Sequence, residues 1–464
     1  MSTLTNIDKC QFCCHCHRFV NGHRLVDRIE IYQVDILGVM FSTASMKLHL
    51  ARKKMHRLNQ VAVAGLICLA CWSGGVNAQE KLDATAQVRY RFQTDGRDFD
   101  KATSNFSFSQ LRSRLGLNFV AGENLTLFLM LQDSRIMGEE ASTLTDGTGD
   151  ALDMREGFMK VTEFLWNPLD MKLGRMRIKY GEERLVGYVD WHNIGRSFDG
   201  VVFTVHDSWF SADVFAFAQV EGLVFEEVGD LNVLGINWDV FKGEQHTNEA
   251  YLVWQLASPS NELNRWTAGY YINGKLGGFE YTSNGAYQGG ELTPDSLKQD
   301  VQAYMLTLDL WYRFPNAPGR LGVSAGVDFL SGDGNPDDLD YKVFDTLYAT
   351  NHKFYGFMDY FLNIPRDTSL RGLVDSYARV LVHLGSVPAR VDFHLFQSAE
   401  DFPLQNGATS RDFGFEIDVT LKHVYDENLT FLLGGSMFEP GDIFKDTRGS
   451  DIANWAYIMV IANI

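Results

Sequence analysis

Three pairs of arginines recur at a spacing of two: Arg89 and Arg91, Arg112 and Arg114, Arg175 and Arg177. Side chains alternate sides along an extended strand, so each pair presents both guanidinium groups on one face. A guanidinium stays charged at any working pH and grips carboxylates and phosphates through a planar fork. Neighbouring strands carrying such pairs would build an arginine ladder, and rings of arginine and lysine are how pores select anions. By strand parity Arg112, Arg114, Arg155 and Arg177 are the expected pore-lining, substrate-contacting residues. The plainer alternative is that they pair with Asp133, Asp153, Glu156 and Glu182 and brace a wall.

Strands of the right kind are present. Val88, Tyr90 and Phe92 alternate with Arg89 and Arg91. Leu111, Leu115, Leu117 and Phe119 oppose Arg112 and Arg114. Met176, Ile178 and Tyr180 are set against Arg175, Arg177 and Lys179. Segments at 212–218, 301–314, 321–330, 412–424 and 455–464 continue the theme. Alternating segments of about ten residues, separated by turn residues, are the signature of a transmembrane β-barrel. An arginine facing lipid near mid-membrane costs about 2–4 kcal/mol, so the charged face must be the interior. Short polar connections such as 121–123, 273–275 and 385–388 alternate with long ones at 94–105, 136–152, 181–197, 284–299 and 399–410. The expectation is an all-β fold: an antiparallel transmembrane barrel of about 18 strands (16–18), with both ends periplasmic. A soluble sandwich or propeller would more often show repeats of fixed period, and none occurs.

The composition agrees. The 464 residues carry 41 Lys and Arg against 59 Asp and Glu, a net charge of −18, which argues against a nucleic-acid partner. The acidity is uneven: residues 84–200 hold 15 basic and 17 acidic side chains, whereas residues 201–464 hold 16 and 36. All six cysteines, Cys10, Cys13, Cys14, Cys16, Cys68 and Cys71, precede Trp72. A thiol-free remainder suits passage through an oxidising compartment. Lys47, Arg52, Lys53, Lys54 and Arg57 precede an apolar run over 61–72, and Val76-Asn77-Ala78 supplies small residues for cleavage. This predicts a signal peptide at 46–78, cut before Gln79, and a mature barrel over 79–464. Because such a signal opens a chain, translation from Met46 or Met55 is expected, with residues 1–45 an upstream extension. The early Cys/His group has no paired second half and predicts no metal site.

Residues 331–372 form one long excursion, too long for an ordinary loop. Its aromatic half, 354–361, suits a place inside or over the pore. Asp333, Asn335, Asp337, His352, Lys353 and Tyr355 are its candidate pore-loop residues. Asp333, Asn335 and Asp337 partly resemble a calcium loop, but Asp338 stands where glycine is usual, and turn chemistry explains the segment more simply. No metal and no cofactor is expected. The sequence lacks an H-E-x-x-H motif, so catalysis is not expected either.

Two blocks resemble a known family. Gly174-Arg175, Tyr180 to Gly187, Asp190-Trp191 and Gly195 to Gly200 look like the signature of alginate-export-type outer-membrane porins. The second block, similar in kind, runs from Ser331 to Asp337, then Phe344 to Tyr348, then His352 to Phe361. The resemblance implies an 18-stranded monomeric barrel in the Gram-negative outer membrane, with a basic constriction passing anionic polysaccharide. It carries Arg175 and Arg196 over as site residues. Implied partners are an anionic saccharide or small anionic solute, outer-membrane lipid and the barrel-assembly machinery. A general diffusion porin for small solutes is the alternative reading.

Overall fold

The computed structural model describes residues 81–139, 152–220, 230–243, 245–258, 262–293, 297–335 and 337–464. The expected signal peptide and the upstream extension lie outside these residues. The strands are β1 (Lys81–Gly96), β2 (Phe106–Ala121), β3 (Leu125–Ile136), β4 (Leu152–Val161), β5 (Leu169–Met176), β6 (Phe198–His206), β7 (Ser211–Val220), β8 (Asp230–Lys242), β9 (His246–Ser258) and β10 (Leu263–Leu276). They continue as β11 (Phe279–Leu292), β12 (Gln299–Arg313), β13 (Gly322–Leu330), β14 (Asp340–Tyr341), β15 (Leu373–Leu384), β16 (Val387–Pro403), β17 (Thr409–Val424), β18 (Leu429–Pro440) and β19 (Ala453–Asn463), with a short helix α1 (Asp442–Thr447) before the last.

Each long strand pairs antiparallel with its sequence neighbours, and β1 pairs with β19 from Gln87↔Asn463 to Gly96↔Asn454, which closes the ring. The two-residue β14 lies outside it, parallel to the start of β12, while β13 pairs directly with β15. Eighteen strands therefore form the wall. Closure leaves no unpaired edge to face lipid, where an unsatisfied backbone group costs several kcal/mol. The alternation expected on β1 and β2 is present. Val88 and Leu115 are exposed on the outer face, whereas Arg89, Arg91, Arg112 and Arg114 are buried inside. On β12, Tyr304, Leu306, Leu308 and Leu310 face out, and Ala303, Met305 and Thr307 are buried. A slip of one residue would turn every charge to lipid, so parity pins the register.

Four sequence expectations change. Residues 284–292, expected in a loop, belong to β11; Gly285, Gly289 and Gly290 had masked the strand. The turn expected at 273–275 falls at Gly277-Gly278 instead. Strand β16 extends to Pro403, well into the loop expected at 399–410. Strand β5 ends at Met176, and its parity is the reverse of that expected: Met176 is fully buried inside. The reversal has a cause. The bore at this level is filled by chain rather than water, so its inner face there is apolar.

Tyrosines inside the wall lie over glycines directly across the ladder. Gly269 pairs with Tyr251, Gly326 with Tyr377 and Gly434 with Tyr457. A Cβ at Gly434 would stand 2.1 Å from the Tyr457 ring. Replacing Gly434 with Val should cost about 1–3 kcal/mol by overpacking. The expected readout is a lower urea midpoint for loss of the compact, heat-modifiable band. An unchanged midpoint would show that the ring is not held there.

Candidate functional site: a constriction built by two inward loops

The inner faces of β1 to β4 concentrate positive charge. Arg89 stands directly opposite Arg112, and Gln132 on β3 opposite Arg114. An irregularity in the β3–β4 pairing at Met130/Leu131 adds a residue to β4, so Arg155 joins the inner set beside Glu156. Like charges directly opposite destabilise a strand pair, and buried ones need acceptors.

The segment between β5 and β6 provides them. Asp190 carbonyl accepts from Arg89 Nη1 and from Arg112 Nη1, both at 2.8 Å. Its carboxylate accepts from Arg114 Nη1 at 2.7 Å and Arg112 Nη2 at 3.3 Å. Asn193 and His192 accept from Arg89 Nη2 at 3.2 Å. Arg155 donates to Ser197 Oγ at 2.7 Å and to the Tyr188 carbonyl at 3.0 Å. Gln132 and Ser134 donate to the carbonyls of Ile194 and Asn193. Arg91 lies 4.5 Å over the Trp191 ring. Burial pushes the Asp190 carboxyl up, but Arg112, Arg114 and Arg89 outweigh it and hold the group down at about 2. The anchorage is therefore fully present above the ordinary carboxylate value and is lost as pH falls through about 2. Burial, with Arg91 and Arg89 nearby, lowers the His192 pKa and favours its neutral ring.

The second inward segment, between β13 and β15, packs against the first. Tyr348 N donates to the Leu185 carbonyl at 2.8 Å, Gly187 N to that of Tyr348 at 2.9 Å, and Thr350 N to that of Glu183 at 3.0 Å. Arg196 clasps this seam, donating to the carbonyls of Gly187, Tyr348 and Ala349. The 331–372 segment is also tied to the wall. Asp345 receives Arg265 Nη2 at 2.8 Å, Met358 N donates to Glu416 at 2.7 Å, and Arg184 of the first loop is buried against Asp328. Phe361 packs on Phe396 and Phe413, with Phe444 of α1 beside them. These aromatics make the interior here a packed core. A cavity of about 320 Å³ remains against the seam, lined by Arg196, Asp345, Thr346, Asn351, Asn363 and Arg366 among others.

The predicted residues thus divide. Arg112, Arg114 and Arg155 come together on the inner wall. Arg196 joins the seam instead. Arg177, beyond the end of β5, donates to Glu156 at 2.6 Å and lies near Tyr188. Arg175 is displaced from the predicted lining: it pairs with Asp199, on the face shared with Leu173 and opposite Met176 and Phe198. Tyr355 is buried beside Arg184, His352 stacks on Trp191 at 4.4 Å and pairs with Asp359, and Lys353 reaches the Glu182 carbonyl at 2.9 Å. The calcium candidates separate: Asp333 is buried and accepts from Asn335 N in a turn, whereas Asp337 is exposed. Among the described residues no group of three or more His, Cys, Asp or Glu is placed to hold a metal. Of the acids expected to brace the ladder, Asp133 pairs with Arg135, Glu156 with Arg177 and Glu182 with Arg184. The acid that pairs with Arg112 and Arg114, Asp190, is visible in the sequence only as part of a motif. Arg89 and Arg91 belong to the site as well, and their spacing had signalled it.

A closed barrel of eighteen strands with apolar outer face, charged inner face and loops folded into the bore is an outer-membrane channel of the porin kind. Solved structures support the fold. Pseudomonas aeruginosa OpdO is 12% identical with a TM-score of 0.56, over 83% of this chain and 97% of that one. Acinetobacter baumannii OccAB4 is 12% identical with a TM-score of 0.56, over 84% and 100%. Pseudomonas aeruginosa OccK11 (OpdR) is 11% identical with a TM-score of 0.54, over 82% and 96%. No curated protein sequence matches the chain at a significant level. The sequence profile of the family described as Alginate export matches residues 80–457, and the chain belongs to that family.

Leu330 and Leu373 are directly paired, so a short turn can replace residues 331–372 without opening the wall. This deletion should raise single-channel conductance well above that of the full chain. Equal conductance in a variant that retains the heat-modifiable band would refute a loop-filled bore.

Proposed function

We propose that this outer-membrane channel selects anionic solutes, with acidic oligo- and polysaccharides of the alginate kind as the fitting class. One observation carries the reading: five inward guanidinium groups on β1, β2 and β4, three strands of one side of the wall, in a chain whose net charge is −18. Positive charge set against that background, on the wall of the narrowed bore, is placed where it acts on a passing solute. Low-dielectric walls focus such a field. Each guanidinium offers a carboxylate-matching fork, which suits a polymer carrying one carboxylate per sugar. Family membership favours the same class. The chemistry required is passage, and no catalytic role is assigned to any residue.

The second reading, a general diffusion porin, is favoured by acids across the bore. Asp213 and Glu249 meet Tyr180 and Gly181 of the first loop, and Asp309 holds Arg379. Such a divided lining would orient dipolar solutes more than it would sort them by sign.

Reversal potentials in planar bilayers under a salt gradient separate the two. The wild type should prefer anions, and neutralising Arg89, Arg112, Arg114 and Arg155 together should weaken that preference. A cation-preferring wild type would overturn the proposal.

The export signal belongs to the same reading. Residues 46–78 direct the chain across the inner membrane and are removed after Ala78. Intact-mass measurement of outer-membrane material should give a chain beginning at Gln79. Retention of Met46 or Met55 would refute cleavage there.

A further inference from the structure

The arginine cluster has an excess of positive charge that its surroundings do not balance. Arg89, Arg91, Arg112, Arg114 and Arg155 are all at least nine-tenths buried. One carboxylate, that of Asp190, is bonded to the cluster, while neighbouring Glu156 is taken by Arg177. The other acceptors facing these guanidiniums are carbonyl, amide and hydroxyl oxygens. Arg114 Nη2 is buried with no acceptor. The Asp190 carboxylate places one oxygen on each of two guanidiniums, 2.7 Å from Arg114 and 3.3 Å from Arg112. It remains 40% exposed although both arginines are buried. It is therefore the part of this ion cluster that a solute in the bore can reach.

We infer that Asp190 is a tethered stand-in for a substrate carboxylate: it occupies in cis the anion site formed by Arg112 and Arg114, and an acidic saccharide entering the bore displaces it. This rests on the anion-channel reading and adds its regulation. The exchange replaces one carboxylate with another, so no buried guanidinium is stranded without a counter-charge, which would be strongly unfavourable. Arg114 Nη2 gives the incoming group a donor that Asp190 does not use. Once the Asp190 carboxylate leaves, the 188–194 segment loses its ion pairs with Arg112 and Arg114 but keeps the arginine-to-carbonyl bonds at Asp190, His192 and Tyr188. These bonds hold the segment on the wall while its acid is exchanged. The tethered acid thus sets the concentration at which an acidic solute engages the ladder.

The test uses the full chain in planar bilayers, with digalacturonate as the probe and the compact heat-modifiable band as the check on folding. Asp190→Asn removes the tethered competitor, so the half-blocking concentration of digalacturonate should fall by roughly tenfold, the scale expected when a local competitor is lost. Asp190→Glu restores the charge and should return the value towards wild type, and it can be read even if the asparagine variant folds poorly. Glu123→Gln, an equal charge change in the exposed turn between β2 and β3, should leave block unchanged. Three results would overturn the inference: unchanged block in Asp190→Asn, a Glu variant as sensitive as the Asn one, or an equal shift in Glu123→Gln. A wild type that prefers anions and is blocked by digalacturonate, combined with any of these, sinks only the tethered-acid inference. A wild type that prefers cations and resists block sinks the channel reading and this inference with it.

Discussion

Lipid offers no partner to a charge or to an unpaired backbone group, and the architecture follows from that constraint. The backbone groups are satisfied by a closed ladder, and on β1 and β2 the charged face is forced inward. The inward charges then create a second demand. Arginines packed side by side on β1 to β4 repel one another and lose solvent, so they need acceptors close by. The chain meets this demand by folding the 177–197 segment back across the bore, where backbone carbonyls and one aspartate face the guanidiniums. The ladder and the loop are therefore one structure, and neither would hold its geometry alone.

The same logic accounts for the uneven interior. On the β1 to β4 side the filler is polar and bonded to charge. On the β16 to β18 side it is aromatic: Phe361 and Phe444 lie against Phe396, Phe413 and Phe438. The two inward segments meet in a seam of backbone hydrogen bonds clasped by Arg196. What narrows the channel is thus a built element with a polar flank and an apolar flank, rather than a loose lid.

Much of the wall was legible in the residues. Arg112, Arg114 and Arg155 were placed on the inner face from parity, and the eighteen-strand ring with an inward excursion at 331–372 was anticipated. The failures are informative. The family resemblance points to Arg175 as a site residue, and its spacing from Arg177 agrees only if apolar Met176 faces outward. That premise fails where the bore is filled by chain, because Met176 then has an apolar interior to enter. β11 was missed because its glycines and asparagine resemble a loop. In the fold they are strand residues: Gly289 lies against the Trp266 ring, and Asn284 accepts from Tyr251. At the partial calcium pattern the Asp333 carboxylate accepts a turn hydrogen bond from Asn335 N, the local chemistry that Gly, Asn and Pro there suggest.

The sequence by itself determined which face of most strands meets lipid and that the arginines of β1 and β2 point inside. Those outcomes depend on period-two patterning and the cost of charge in hydrocarbon, both local to each segment. Tertiary structure alone decided what the arginines hold. Asp190 lies 78 residues from Arg112 in the chain, and only the return of the loop across the bore brings them together. The width and the filling of the passage were settled in the same way, since they arise from contacts between distant segments that no single strand encodes.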